Sequence, residues 1–438
     1  MPRDEGPDEP EHAQLARFFA DHGRIPVLGS DIRPHLLEGE TRRMIELPPP
    51  DSATGRIRVE TVPGRHYELR GHYAAMPGLP YVALGVFVRA GRAAGVRDDY
   101  ASGRAACAVF GALAVLAAGL AALRLRPDRP EIHLLAPAAV AFLPQFVFLG
   151  AYVNPDALTA TVCAAAAWRF ATGASRGWPL RDALVFGVVC GAGLLCKLNA
   201  YPVIAVLAVA MAATLRGPAR SRIVRAAAAA GAALVVAAPW FVHNLREYGE
   251  LLGSRAGAAY ASAPLAMLPE ELRRGLRTYD GAFSGAAQGQ SYLSLLTGPW
   301  MTDTLKSSVG FFGWLSKPMR PWMYGAYAAI GAAALAGLLV ALVRARSGHR
   351  RIDGGALLVA TAVAVALVLA AALRQSLRYD LQPQGRYLFP CLGGTAVLFA
   401  LAITEFGRSP RARLAIAIGV SGVLAALSAV AFRFVLIA

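Results

Sequence analysis

The chain lacks the short signatures of several common activities. It has no GxxxxGK[ST] phosphate loop, no HExxH and no GxSxG, which removes the usual sequence support for ATP-driven transport, zinc proteolysis and esterase chemistry. Cysteine is scarce. The five residues Cys107, Cys163, Cys190, Cys196 and Cys391 all fall inside apolar segments, at spacings that match neither a metal site nor a disulfide framework. They read as small buried hydrophobes; no cofactor is expected, and a metal ion is left open but nothing in the sequence indicates one. The opening residues, MPRDEGPDEPEH, are too polar for a cleavable signal segment.

Charge is sparse wherever apolar residues are dense. Hydrophobic residues make up 56% of the 438 positions, and charge-free stretches of about 20 residues recur, the length a helix needs to cross a bilayer. A soluble protein would show amphipathic stripes instead. Ala, Gly and Val fill these runs, which suits helices packed closely in lipid. The net charge of +16 would suggest nucleic acid if it lay on one soluble face. The arginines sit at the ends of the apolar runs instead, so they read as topology signals and no nucleic-acid partner is expected.

The fold class expected is therefore an all-α integral membrane protein with about ten transmembrane helices, outer-face loops and interfacial helices. Spans are placed at 105–123, 133–153, 157–172, 182–196, 198–215, 226–242, 321–343, 355–373, 387–404 and 414–432. Residues 182–215 as a single helix would run about 51 Å against a hydrocarbon core of ~30 Å, so a turn is expected at Lys197-Leu-Asn-Ala-Tyr-Pro202. Before the spans, a short helix is expected over Glu11 to His22, and the apolar stretch Leu79 to Val88, too short to cross, is expected in the interface.

Charge tests the count. With ten spans, one set of loops holds sixteen arginines, among them Arg124, Arg126, Arg129, Arg216 to Arg225, Arg350, Arg351, Arg408, Arg411 and Arg413. The opposite short loops hold only Lys197, Arg374, Arg378 and Arg386. Merging residues 182–215 would destroy that asymmetry. The positive-inside rule then makes the basic loops cytoplasmic. The chain divides into an outer-face N-terminal region (1–103), helices one to six (104–242), an outer-face loop region (243–320) and helices seven to ten (321–438). A tail of about 100 residues cannot readily cross by itself, so the native reading frame is expected to begin upstream with one more helix.

Four outer-face features carry possible chemistry. Pro7-Asp8-Glu9-Pro10-Glu11-His12 is an acidic cluster opening a helix, for which ordinary capping is the competing account. Asn154-Pro-Asp156 stands at a helix junction without basic residues, where capping again competes. Lys197 is a lone cation between two apolar runs, either snorkelling or facing an anion. Arg374, Arg378 and the run Gln382-Pro-Gln384-Gly-Arg386-Tyr387 break the positive-inside pattern, and a phosphate is an apt reason because guanidinium binds its oxygens bidentately. His243 and Arg246 follow Pro239-Trp240. Trp300, Phe311, Phe312, Trp314, Trp322 and Tyr324 form an aromatic group that reads as an interfacial belt, with sugar stacking as the competing account.

In order, DEPEH, VNPDAL, GLLCKLNAYP, PWFVHNLREYGELLG, SVGFFGWLSKPMRPWMY and QGRYLFP resemble the multi-spanning GT-C glycosyltransferases. The likeness is to the bacterial membrane proteins of the DUF2142 group, relatives of protein mannosyltransferases and aminoarabinose transferases, and it covers nearly the whole chain. It implies an enzyme of a bacterial inner or plasma membrane that takes sugar from a polyprenyl-phosphate donor to an unspecified acceptor on the non-cytoplasmic face. In such proteins an acidic residue of the first outer loop is the base, which here matches Asp8 with Glu9 beside it. Lys197 and Arg386 match phosphate-facing cations. His12, Asn154, Asp156, His243, Arg246, Arg378, Gln384 and Tyr387 complete the expected binding set. The sequence departs from the family in lacking the span that normally precedes the acidic loop. A transporter or flippase of the same lipid-linked sugar is the alternative from another class; a non-catalytic scaffold would leave the outward arginines unexplained.

Overall fold

The computed structural model describes residues 6–38, 43–62, 65–71, 73–276, 283–346 and 355–433. Arg350 and Arg351, counted above among the loop cations, lie outside the described residues. The first helix, α1 (Glu9–His22), starts two residues before the expected position. Pro10 stands in its first turn, where a missing N–H costs nothing, and Glu9 and Glu11 complement the positive helix end. Gly23 closes it at φ 67°, with its N–H donating to the Phe19 carbonyl.

Three short strands follow that the sequence reading did not anticipate. β1 (His35–Glu38) lies between β2 (Met44–Glu46) and β3 (Tyr67–Arg70), antiparallel to both. All four residues of β1 are buried, so the strand lacks the alternation of polar and apolar residues that announces a half-exposed strand. α2 (Leu79–Ala93) occupies the apolar stretch expected in the interface. It buries Tyr81, Leu84 and Val88, the first two in a core shared with Leu15 and Phe19 of α1 and with Phe110.

The apolar helices begin with α3 (Asp99–Leu125), α4 (Pro130–Ala141) and α5 (Pro144–Leu149). The expected single span 133–153 is thus two helices. Pro144 disfavours helical backbone at the residue before it, and Leu143 is extended at φ −79°, ψ 110°. Next come α6 (Asp156–Ser175), α7 (Leu180–Leu194), α8 (Tyr201–Thr214) and α9 (Ala219–Tyr248). The turn expected at Lys197 is present: Lys197 is extended and a short 3-10 turn, Leu198–Ala200, leads into α8.

The second polar region contains α10 (Ser254–Ser262), α11 (Glu270–Gly275), α12 (Tyr292–Thr297), α13 (Pro299–Val309) and a hairpin of β4 (Phe311–Phe312) with β5 (Lys317–Pro318). The chain ends with α14 (Pro321–Arg346), α15 (Gly355–Arg378), a 3-10 turn Gly385–Cys391, α16 (Leu392–Thr404) and α17 (Pro410–Ala431). Each of the ten expected apolar segments contains helix, 133–153 in two pieces. Among the described residues, six stretches are long and apolar enough to cross a membrane by length and composition: α3, α9, Pro321–Arg344, α15, Gly385–Thr404 and α17.

α3 lies along α6 and α4, and α16 packs against α4. Small residues allow close approach between the helices: a Cβ on Gly187 of α7 would fall 2.1 Å from the Ala229 carbonyl oxygen of α9. Arginines of the basic loops are partly tied into the bundle. Arg129 donates to Glu131 (2.7 Å), Glu405 (3.1 Å) and Thr404 (2.9 Å), and Arg344 donates to Glu405 (2.9 Å). Arg169, inside the expected span 157–172, pairs with Asp182 at 2.9 Å.

Candidate functional site

Residues from distant parts of the sequence converge into a buried row of alternating charge. Asp8 precedes α1 at φ 61°, a left-handed conformation that Asp tolerates better than most residues, and only 5% of it is exposed. Arg386 lies in the turn before α16. Its guanidinium stands 3.6 Å from Asp8 Oδ2 and 3.7 Å from Asp156 Oδ2. It also donates to Gln384 Oε1 at 2.6 Å and to the Tyr152 hydroxyl at 3.1 Å. Asp156, the first residue of α6, accepts from Lys197 Nζ at 2.7 Å. The Tyr387 ring lies 5.6 Å from that ammonium and donates its hydroxyl to Gln382. The turn has to carry glycine at 385, because a Cβ there would lie 2.2 Å from the Ser308 nitrogen of α13. The Gly385 N–H donates to Ser307 Oγ at 2.8 Å.

At the other end of the row stands Arg70, the last residue of β3, which the sequence reading did not single out. Its Nη1 lies 3.3 Å from Asp8 Oδ1 and 3.7 Å from Glu11 Oε2, and its Nε donates to Glu68 at 3.0 Å. It is one of many arginines in a polar region, and only the unanticipated sheet aims it inward. Glu11 in turn lies 3.3 Å from His35 Nε2 of β1. Burial alone would raise the Asp8 carboxyl. The guanidiniums of Arg70 and Arg386, with His12 and a hydrogen bond from Tyr73, outweigh that and hold it well below the usual carboxylate range.

The other expected residues have varied surroundings. Glu9 is fully buried and bidentate to Arg104 of α3 (2.8 and 2.9 Å), and it also accepts from the Val153 N–H at 3.0 Å. It ties α1 to the bundle. His12 is buried with Nδ1 3.1 Å from the Tyr81 hydroxyl. Burial pushes its ring down to about 3, so it is neutral. Asn154 does the ordinary capping work: Oδ1 accepts from the Ala157 N–H (3.0 Å), while Nδ2 donates to the carbonyls of Leu149 and Tyr152. His243 and Arg246 sit near the end of α9 and Arg378 at the end of α15; none touches the row, and both arginines are exposed. The aromatic residues do not act as one group. Trp300 is buried and bonded to Ser376 Oγ, Trp322 is exposed to the surroundings, and Trp314 faces a cavity.

That cavity, of about 110 Å³, opens beside the row. Arg70, Arg386, Tyr152, Trp314, Gln382 and Gln384 are in its wall; Pro7 is too, while Asp8 stands just behind it. Among the described residues, no three of His, Cys, Asp or Glu are gathered as a bound metal ion would need.

A family profile described as a predicted membrane protein (DUF2142) matches residues 71–395. The chain belongs to the DUF2142 family. The match spans Asp156, Lys197 and Arg386, whereas Asp8 and Arg70 lie before it. No curated protein matches this DUF2142 chain by sequence. Among solved structures it is similar to ArnT from Cupriavidus metallidurans bound to undecaprenyl phosphate, with a TM-score of 0.50 and 15% identity over 96% of this chain. It spans 60% of the length of that ArnT chain. The oligosaccharyltransferase of Archaeoglobus fulgidus, in complex with zinc and sulfate, gives a TM-score of 0.47 at 15% identity, covering 97% of this chain and 48% of that one. ArnT is a GT-C membrane protein, and the fold of the DUF2142 chain is of that kind.

Proposed function

We propose that the chain is a membrane glycosyltransferase that takes a sugar from a polyprenyl-phosphate donor, with inversion, on the face opposite the basic loops. The observation that carries this reading is the convergence of Asp8, Arg386, Asp156 and Lys197 within one buried row. Two outward cations are held together at the membrane surface, and a lipid phosphate is the ligand that explains them. ArnT, which shares the fold, has undecaprenyl phosphate bound.

The chemistry follows from the row. An acceptor hydroxyl oxygen forms a bond to the anomeric carbon while the bond from that carbon to the phosphate oxygen breaks. The hydroxyl proton goes to Asp8, and the bonding electrons leave with the lipid phosphate. The leaving phosphate gains negative charge, so Arg386 and Lys197 stabilise the transition state more than the ground state. In the resting site Asp8 is a poor base, because two guanidiniums hold it ionised. A phosphate that draws Arg386 toward itself removes one of those partners and brings a second anion near. Donor binding thereby raises the basicity of Asp8 when a base is required.

Purified protein given labelled polyprenyl-phosphate sugars is expected to release polyprenyl phosphate. Asp8→Asn should lower that rate at least ~100-fold with donor affinity kept, in line with the loss of a general base. Binding without release in the unaltered protein would instead mark a carrier, and equal rates in Asp8→Asn would remove the base.

A further inference from the structure

We infer that Arg70 is the positioning residue for Asp8: it holds one carboxylate oxygen, Oδ1, throughout the reaction and leaves the other, Oδ2, to take the acceptor's proton. This deepens the proposed function and rests on it. The two oxygens of Asp8 face different guanidiniums. Oδ1 stands 3.3 Å from Arg70 Nη1, and Oδ2 stands 3.6 Å from Arg386 Nη2. A carboxylate divided in this way can lose one partner and keep its place by the other.

Arg70 is fixed on every side. It is 2% exposed and ends β3, in register with His35 of β1. Its Nε and Nη2 together hold the Glu68 carboxylate, a fork that a planar guanidinium can make and an ammonium cannot. Nη1 donates to the Tyr73 hydroxyl at 3.2 Å, and Tyr73 is in turn hydrogen-bonded to Asp8. One face of the guanidinium is covered by Trp314, whose ring centre lies 5.7 Å from its carbon. That ring sits in the loop joining β4 to β5, and the hairpin is pinned where the Phe311 N–H donates to Gln145 Oε1 at 2.8 Å. With Glu68, Glu11 and Asp8 already around it, Arg70 has little charge left for a lipid phosphate.

Arg386 is held differently. Its Nε and Nη1 donate to the neutral partners Gln384 and Tyr152. Both carboxylates stand beyond hydrogen-bond length from it, at 3.6 and 3.7 Å. When a phosphate draws it away, Oδ2 is the oxygen set free. The acceptor O–H bond then breaks and its proton bonds to Oδ2. The acceptor oxygen bonds to the anomeric carbon as the bond to the phosphate oxygen breaks and its electrons leave with the phosphate. Oδ1 stays on Arg70 meanwhile.

The groups that act on Asp8 set the sign of the test. Arg70, Arg386 and the hydrogen bond from Tyr73 favour its ionised form, and His12 lies beside it on α1. The hydroxyls of Tyr81, Tyr152 and Tyr387 lie within its field. Glu11 and Glu68 are matched by Arg70. Removing Arg70 takes away one cation and leaves those two carboxylates unmatched, and both changes favour the protonated form of Asp8.

The test follows release of polyprenyl phosphate from a labelled polyprenyl-phosphate sugar against pH, with binding of the sugar-free lipid measured alongside. Arg70→Gln should lower turnover at least ~tenfold and move the acidic limb of the rate profile up by about one pH unit. Arg70→Lys keeps the charge without the fork, so the limb should stay within about half a pH unit while turnover remains down at least ~fivefold. Both variants should bind sugar-free polyprenyl phosphate within about threefold of the unaltered protein, since the lost contact is to the base and not to the lipid. Lower turnover in Arg70→Gln with the limb in place would mark a merely structural residue and overturn the inference. So would full turnover in Arg70→Lys, or a fall of ~tenfold or more in lipid affinity, which would make Arg70 a phosphate ligand. Each of these leaves the proposed function standing. Absence of lipid binding and release in the unaltered protein would bring down the proposed function and the positioning role with it. If Arg70→Gln does not fold, the turnover and lipid affinity of Arg70→Lys decide alone.

Discussion

His12 shows how tightly the site controls protonation. It faces Asp8 and lies in the field of Lys197, Asp156 and Arg386, yet burial prevails and its ring is pushed from 6.5 down to about 3. The unfolded chain takes up a proton on this residue near pH 6.5, and the folded chain does not until about pH 3. Stability must therefore rise with pH across that window, by at most ~1.4 kcal/mol per pH unit for one proton. Thermal unfolding in detergent between pH 4.5 and 7 should show this slope, and His12→Gln should flatten it. Identical slopes would mean that the ring is charged in the fold. Asp8 changes stability in the same direction but in a lower pH window. Its lowered carboxyl stabilises the fold above the ordinary carboxylate range near pH 4, and that contribution fades as the pH falls below it.

At the scale of elements, one buried residue of the first helix is bonded directly to the bundle. Glu9 bonds to Arg104 of α3 and to the backbone before α6, so it fixes where Asp8 stands. Glu9→Gln leaves Arg104 facing a neutral amide. It should destabilise the fold by about 3 kcal/mol, as breaking a buried pair does, and lower turnover without changing the pH dependence of the reaction. A loss of turnover as large as that in Asp8→Asn, with stability intact, would make Glu9 the base instead. The elements also show what sequence could reveal. The long apolar helices, α1 and the turn at Lys197 were legible, because hydrophobic runs, a helix-starting proline and an isolated cation each leave a local mark. The sheet carrying Arg70 was not legible, since strands of three or four residues with a fully buried centre have no periodicity to read. The split at Pro144 was signalled by the proline but lost within an unbroken apolar run.

For the whole molecule, the meeting of Asp8 with Arg386 spans nearly the length of the chain, and no local pattern states it. Asp8, Lys197 and Arg386 were named from residue type, charge asymmetry and family likeness; their nearness is a property of the fold. Arg246 and Arg378 were named on the same grounds and stand apart, because an outward arginine at a helix end needs only water. The expected sidedness rests on the charge distribution alone and can be measured. All five native cysteines are buried, so single cysteines report cleanly. Arg378→Cys should react with a membrane-impermeant thiol reagent added outside intact cells, and Arg411→Cys only after the membrane is opened; the reverse pattern would put the row on the cytoplasmic face.

The alternating row has one more consequence. Every cation in it already has a carboxylate neighbour, so an inorganic ion drifting in from solution gains little by evicting that neighbour. A lipid-linked phosphate, the proposed donor, would differ: its tail is confined to the bilayer, which would keep its head at a high effective concentration near the row. Under the proposed function the matched charges would work as a filter, closed to free anions in the surrounding water and open to one that arrives tethered.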